Sequence, residues 1–132
     1  MATTIDHYDC LKSEIDSYID YSRLWMRIWG AVYYTLRTAL IVLSACVAAK
    51  ETLAFISRNV ALVSLIVAVG TSLDTWLKTG NRFRGHYTFN DKFIALHTDL
   101  ELTDQADTVA LGRLQDQFKR FIDEYAQAVL PT

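Results

Sequence analysis

Few side chains in this 132-residue sequence stand in a pattern that does chemistry. His86 and His97 are eleven residues apart, three helical turns, and so share a face. Along one helix that spacing is about 16 Å, too far for both to reach one metal ion, and they read as ordinary polar positions. Asp91, Asp99, Glu101, Asp104 and Asp107 make an acidic stretch, which without further ligands reads as a solvated face. A glycine-rich phosphate loop, a paired-cysteine motif, His-Glu-x-x-His and Gly-x-Ser-x-Gly are all absent, so no enzyme, metal or cofactor is expected. Cys10 and Cys46 fall at opposite ends of the first long helix and cannot pair within one chain; they read as free thiols in a reducing compartment.

The charge that asks for a physical account is Arg37, because of the elements around it. Two uncharged apolar runs, Thr38 to Ala49 and Val60 to Leu73, flank a short connector bearing Lys50, Glu51 and Arg58. Neither run alternates with polar residues as a half-buried helix or strand would, so the pair reads as a membrane hairpin. At 1.5 Å per residue the two cores are only about 18 and 21 Å long, against a hydrocarbon layer of about 30 Å. Extending them to Ile28 and Leu53 relieves the shortfall if Arg37 and Arg58 snorkel or point into a polar interior. Trp25, Trp29, Tyr33, Tyr34 and Trp76 then form an interfacial belt on the side that holds both chain ends. A buried hairpin in a soluble helical bundle is the alternative.

An arginine inside an apolar layer costs at least roughly 2.5 kcal/mol when left in lipid. Sheltering by neighbouring subunits or water is therefore expected, and with it self-association. Ser44, seven residues on, shares the face of Arg37 and extends it into a polar strip; the competing reading sets the membrane boundary at Arg37 itself. In the second span Ala61, Ser64, Ala68, Thr71 and Thr75 form a small, hydroxyl-bearing stripe at helical steps, suited to close packing against the first span or a neighbouring subunit, or to lining a water-filled path. Arg23, Arg27, Arg37, Lys78, Arg82 and Arg84 cluster on the chain-end side, which puts both termini in the cytoplasm.

Composition bounds the rest. The chain has 52% hydrophobic and 21% charged residues and a formal charge of -2, which fits one domain and disfavours disorder or nucleic-acid binding. Met1 to Asp9 lacks a basic region followed by an apolar core, so no cleavable signal is expected. Tyr8, Leu11, Ile15, Tyr18, Ser22, Trp25 and Trp29 recur at steps of three and four, the seam of an amphipathic stem over 5–30 whose opposite face (Asp6, Asp9, Lys12, Asp16, Asp20, Arg23) belongs in water. Stem and first span join into one helix of about 65 Å, with Gly30 as its weak point. The hairpin is expected over 28–78. After a polar break at Lys78-Thr79-Gly80-Asn81, with kinks at Gly80 and Gly85, Phe89, Phe93, Leu96 and Leu100 mark a helix over 83–102. Thr103 and Asp104 suit a cap, and Leu111, Leu114, Phe118, Phe121, Tyr125 and Ala128 mark a last helix over 104–130, with Pro131 beyond it. The fold class is all-α: a two-span hairpin with a cytoplasmic bundle whose core holds Tyr18, Phe93, Leu100, Phe118 and Phe121.

This arrangement resembles the SLATT family, the two-transmembrane effector domains of bacterial nucleotide-second-messenger defence systems. The features that carry the resemblance, from about Tyr18 to Pro131, are the tight hairpin, the amphipathic lead-in, His86-Tyr87 followed by Phe93-x-x-Leu96-x-x-Asp99-Leu100, and the closing helix. The resemblance implies an oligomeric effector that permeabilises the inner membrane of an infected bacterium, with a separate sensor or nucleotide-signalling protein as partner. A non-catalytic membrane-anchored scaffold that binds through its acidic face is the alternative, and a soluble four-helix interaction domain the third.

Overall fold

A computed structural model describes residues 4–49 and 54–129. Lys50, Glu51, Leu53 and Pro131, which figure in the connector, in the extended second span and in the expected stop, lie outside the described residues. The described chain is helical, without strands: α1 (Thr4–Ala48), α2 (Ala54–Arg58), α3 (Val60–Leu77), α4 (Thr79–Glu101) and α5 (Thr108–Val129). The chain between Lys50 and Asn59, where a turn was expected, contains the short α2, and Ile56 within it is buried. Two stretches, Thr4–Ala48 and Val60–Glu101, are long and apolar enough to cross a membrane. Two compact units divide the chain: Met1–Arg27 with Asn81–Thr132, and Ile28–Gly80.

The first unit is built on matching seams. From α1 come Tyr8, Leu11, Ile15 and Ile19; from α4 Phe89, Phe93, Leu96 and Leu100; from α5 Leu111, Leu114, Phe118 and Tyr125, all buried in one cluster. Steps of three and four keep each set on one helical face, and complete burial stabilises by about 1.5 to 3 kcal/mol per large apolar side chain. Phe93 is the centre. Its ring lies 5.5 Å from Tyr18, 6.0 Å from Phe118 and 5.8 Å from Tyr125, mostly edge-on, the geometry aromatic quadrupoles favour. Tyr18 and Phe121 are partly buried against the same cluster, while Ala128 is exposed and Val129 takes its place on the seam. Lys12 to Glu101, Asp16 to His97 and Ile19 to Asn90 contacts show that the start of α1 runs antiparallel to α4. Lys12 and Asp16, expected to face only water, thus reach across to a neighbouring helix.

Helix ends differ from the sequence reading in two places. The last helix begins at Thr108, and its cap is Asp107, whose carboxylate accepts the Ala110 N–H at 2.9 Å. Asp104 instead accepts the Ala106 N–H at 3.0 Å within the preceding turn, and Thr103 donates to the Asp99 carbonyl at 2.8 Å. Asp wins at 107 because it stands immediately before the first residue free to turn helical. The polar break after the second span narrows to Lys78, whose φ of 49° and ψ of 43° are left-handed, a state that costs a residue with a Cβ roughly 1 to 2 kcal/mol. Gly80 and Gly85 lie inside α4, and no described glycine has positive φ, so neither is the breaker. Likewise α1 passes through a buried Gly30 without interruption.

In the second unit, the later part of α1 packs antiparallel on α3 and the first residues of α4, as Arg37 with Asp74, Leu40 with Gly70 and Tyr33 with Gly80 show. A Cβ on Gly70 would stand 2.8 Å from Leu40 Cδ2, and one on Gly80 3.1 Å from the Tyr33 ring, so both glycines serve close approach. The α3 seam is Val60, Val63, Val67, Gly70, Asp74 and Leu77, each buried or half-buried. This corrects one branch of the expectation for the small stripe. Ala61, Ser64, Ala68, Thr71 and Thr75 are all exposed, so they do not pack against the first span of their own chain. The reason is rotational: on a helix of 3.6 residues per turn, the stripe falls one position after the seam, about 100° around the axis.

Candidate functional site

The polar side chains buried in an apolar surrounding are the groups most able to do something other than fold the chain. Within the hairpin unit they gather at one place. Asp74, on the seam of α3, is buried, and Arg37 donates from Nε to its Oδ2 at 3.0 Å. Thr79 is fully buried and donates its hydroxyl to the other carboxylate oxygen, Oδ1. The Arg37 guanidinium also lies 5.5 Å from the centre of the Tyr33 ring, within cation–π range. Both oxygens of the carboxylate are used, one by a charged and one by a neutral donor.

This geometry overturns the expectation that Arg37 is an unpaired charge in need of a neighbouring subunit or water. A carboxylate of the same hairpin meets it. The two partners are unequally shielded, with the Asp74 side chain 10% exposed and that of Arg37 55% exposed, so the pair sits at the edge of the seam with the arginine outward. Ser44, on the Arg37 face, is also exposed. Asp74 stands one residue beyond the uncharged run that ends at Leu73 and so falls outside it. The signal was present: Asp74 continues the 60, 63, 67, 70 register, and an acid on an apolar seam calls for a basic partner on the facing helix.

The aromatic positions fall in different settings. Tyr34 and Trp76 are exposed, whereas Trp29 and Tyr33 are half-buried in the hairpin unit and Trp25 in the other. On the small stripe Thr71 donates to the Val67 carbonyl at 2.8 Å and Thr75 to that of Thr71 at 2.9 Å. Hydroxyls bonded to their own helix face lipid at little cost, which weakens the reading of the stripe as a water path.

The first unit holds three more buried polar side chains, Ser22, His86 and Asn90. Asn90 donates to the Ile19 carbonyl at 3.1 Å and to Ser22 Oγ at 2.9 Å, while Ser22 itself donates to Ile19 at 3.1 Å. These bonds fasten α4 to α1. His86 is 1% exposed, with Nδ1 hydrogen-bonded to the Tyr125 hydroxyl and its ring nearly parallel to Trp25 at 6.3 Å. Its Nε2 has no hydrogen-bond partner among the described residues. Burial, with the positive charge of Arg82 adding to it, lowers the His86 pKa from 6.5 to about 4; burial likewise raises the Tyr125 phenol above its usual range. At neutral pH the imidazole is therefore uncharged. His86 and Asn90 extend the Phe89, Phe93 register toward the start of α4, a continuation legible in the spacing. His97 lies three turns further along α4, its Nε2 3.0 Å from Asp16 Oδ1, so the two histidines serve separate partners.

Cys10 and Cys46 are free thiols, and no group of three described His, Cys, Asp or Glu side chains is arranged to hold a metal ion. Comparison with known protein families, with curated proteins and with solved structures finds no match to this chain.

Proposed function

We propose that this chain is a two-span membrane protein that self-associates in a bacterial inner membrane and permeabilises it as a non-enzymatic defence effector. Both termini and the three-helix unit lie in the cytoplasm, where a separate sensor or nucleotide-signalling protein engages them. The observation that carries the membrane part is the outer surface of the hairpin unit. Ile41, Val42, Leu62, Leu65, Ile66, Val69 and Leu73 are all exposed there, on helices long and apolar enough to span. A surface of that kind is covered by lipid or by further copies of the chain. The flanking Arg23, Arg27, Lys78, Arg82 and Arg84 support the orientation, and Trp76, at 77% exposed, supports an interfacial anchor at the end of the second span. Permeabilisation rests on the resemblance to the SLATT family together with the outward-lying Arg37 and Ser44.

One observation favours the anchor reading. Because Asp74 neutralises Arg37 within a single hairpin, the chain needs no assembly to shelter that charge. In that reading the hairpin holds the protein at the membrane, and the three-helix unit binds the partner. Extraction behaviour tests the membrane part: recovery only with detergent, in particles larger than one chain, is expected, and a monomer recovered in plain buffer overturns it. Liposome leakage separates the two functions. Leakage that diminishes when Arg37 becomes Leu supports the effector, and vesicles that stay sealed under every triggering condition support the anchor.

A further inference from the structure

The hydrogen bond between Thr79 and Asp74 obeys a geometric condition. In an uninterrupted α-helix, residues five apart are separated by about 140° around the axis and about 7.5 Å along it, so their side chains do not meet. The bond forms because Lys78, between them, is left-handed. Lys78 is the one described non-glycine residue with positive φ, and lysine is a good helix former in a stretch without proline. A continuous helix from Val60 to Glu101 is therefore the locally favoured alternative. Something must hold the interruption open, and the only buried carboxylate among the described residues of the hairpin unit is bonded directly across it.

We propose that Asp74 is a latch. With one oxygen it takes the Thr79 hydroxyl across the break, and with the other it takes Arg37 from the facing helix, so that the continuity of α3 with α4 depends on a contact made by α1. Releasing Thr79 or neutralising Asp74 lets Lys78 return to right-handed backbone, and α3 and α4 fuse. Tyr33 braces the same place, with Gly80 pressed on its ring and the Arg37 guanidinium above it. The device is thus a two-state backbone element biased by one ion pair, whether the assembled protein conducts or only anchors.

Nuclear magnetic resonance of the full chain tests it, in whichever detergent or buffer keeps the protein monodisperse. In the parent, Lys78 should show the carbon shifts of a left-handed residue. The amides of Thr79 to Arg82, as the first turn of α4, should exchange readily. In Thr79→Val and in Asp74→Asn the left-handed signature should be lost and those amides should become protected. Thr79→Ser keeps the donor and should behave as the parent. Lys78→Gly removes the penalty on positive φ, so the Lys78→Gly/Thr79→Val double variant should keep the interruption. Helix content by circular dichroism identifies any variant that fails to fold, and the serine and glycine variants then decide. An interruption that persists in both Thr79→Val and Asp74→Asn, or a serine variant that fuses like the valine one, overturns the latch.

Discussion

The two units of this chain use the same residue types to opposite ends. In the unit formed by Met1–Arg27 and Asn81–Thr132, large apolar side chains point inward, and twelve of them share one buried cluster. In Ile28–Gly80 many large apolar side chains, Ile41, Leu62, Leu65, Ile66 and Leu73 among them, point outward, and valines with Gly70 and Gly80 keep the seam narrow where Leu40 and Tyr33 enter it. A unit of the first kind is held together by removing its own apolar surface from water. In the membrane-spanning reading proposed above, the second is held by close backbone approach and an ion pair, because between spans in lipid the expulsion of water contributes nothing. The sensitivities of the two units should therefore differ in kind.

Truncation of the aromatic core is the severest way to test the first half of that contrast. Phe118, 2% exposed and stacked edge-on against Tyr18 and Phe93, should cost roughly 3 to 5 kcal/mol when replaced by Ala. Chemical denaturation followed by aromatic fluorescence measures it. A loss below about 1 kcal/mol would place this residue outside any packed core.

Acid probes the same unit through His86. Its folded pKa of about 4 lies below the ordinary 6.5, so the unfolded chain takes up the proton first. The contribution is fully present above pH 6.5 and is lost as pH falls toward 4, by on the order of 3 kcal/mol in total. Unfolding free energies of parent and His86→Leu, measured across that window, should converge or cross as the pH drops, since leucine does not titrate. A constant difference would mean that the imidazole is not shielded as its burial and stacking on Trp25 imply.

A smaller effect belongs to the end of one helix. Asp107→Ala removes the acceptor for the Ala110 N–H and should cost about 1 kcal/mol, more than Asp104→Ala, which touches only the turn. Thermal unfolding of the pair ranks them. Equal losses would return the cap to the position read from the sequence.

Much of the first unit was legible in spacing. Tyr8, Leu11, Ile15, Phe93, Leu100, Leu111 and Phe118 repeat with helical period, and that periodicity is what tertiary burial selects. The cap was misplaced because Thr103, Asp104 and Asp107 are all good caps, and which one stops the fraying depends on where the preceding turn closes. Less of the hairpin was legible. When both faces of a helix are apolar, hydrophobicity no longer tells which face meets the partner, and size must decide. The small stripe at Ala61, Ser64 and Ala68 was one possible seam, yet Gly70 and Asp74 put the real seam one position away. Asp74 itself, the only acid between Arg58 and Asp91, is the residue whose type says most about which face of the helix meets its partner.

The smallest expected effect on the fold of one chain is the one that most sharpens the contrast. Ala68 is exposed in the hairpin unit, so Ala68→Leu removes no contact within the chain, and leucine is as compatible with a helix as alanine to within a few tenths of a kcal/mol. Helix content and thermal stability of the isolated chain should stay as they are. Assembly should not. If neighbouring copies meet along Ala61, Ser64, Ala68, Thr71 and Thr75, a larger side chain at the middle of that stripe holds the backbones apart, and the particles seen in detergent should shrink or lose uniformity. Unchanged particles would leave the stripe facing lipid, which its locally bonded Thr71 and Thr75 hydroxyls permit, and would move the search for the contact between copies to the face of α1 that carries Ile41 and Val42.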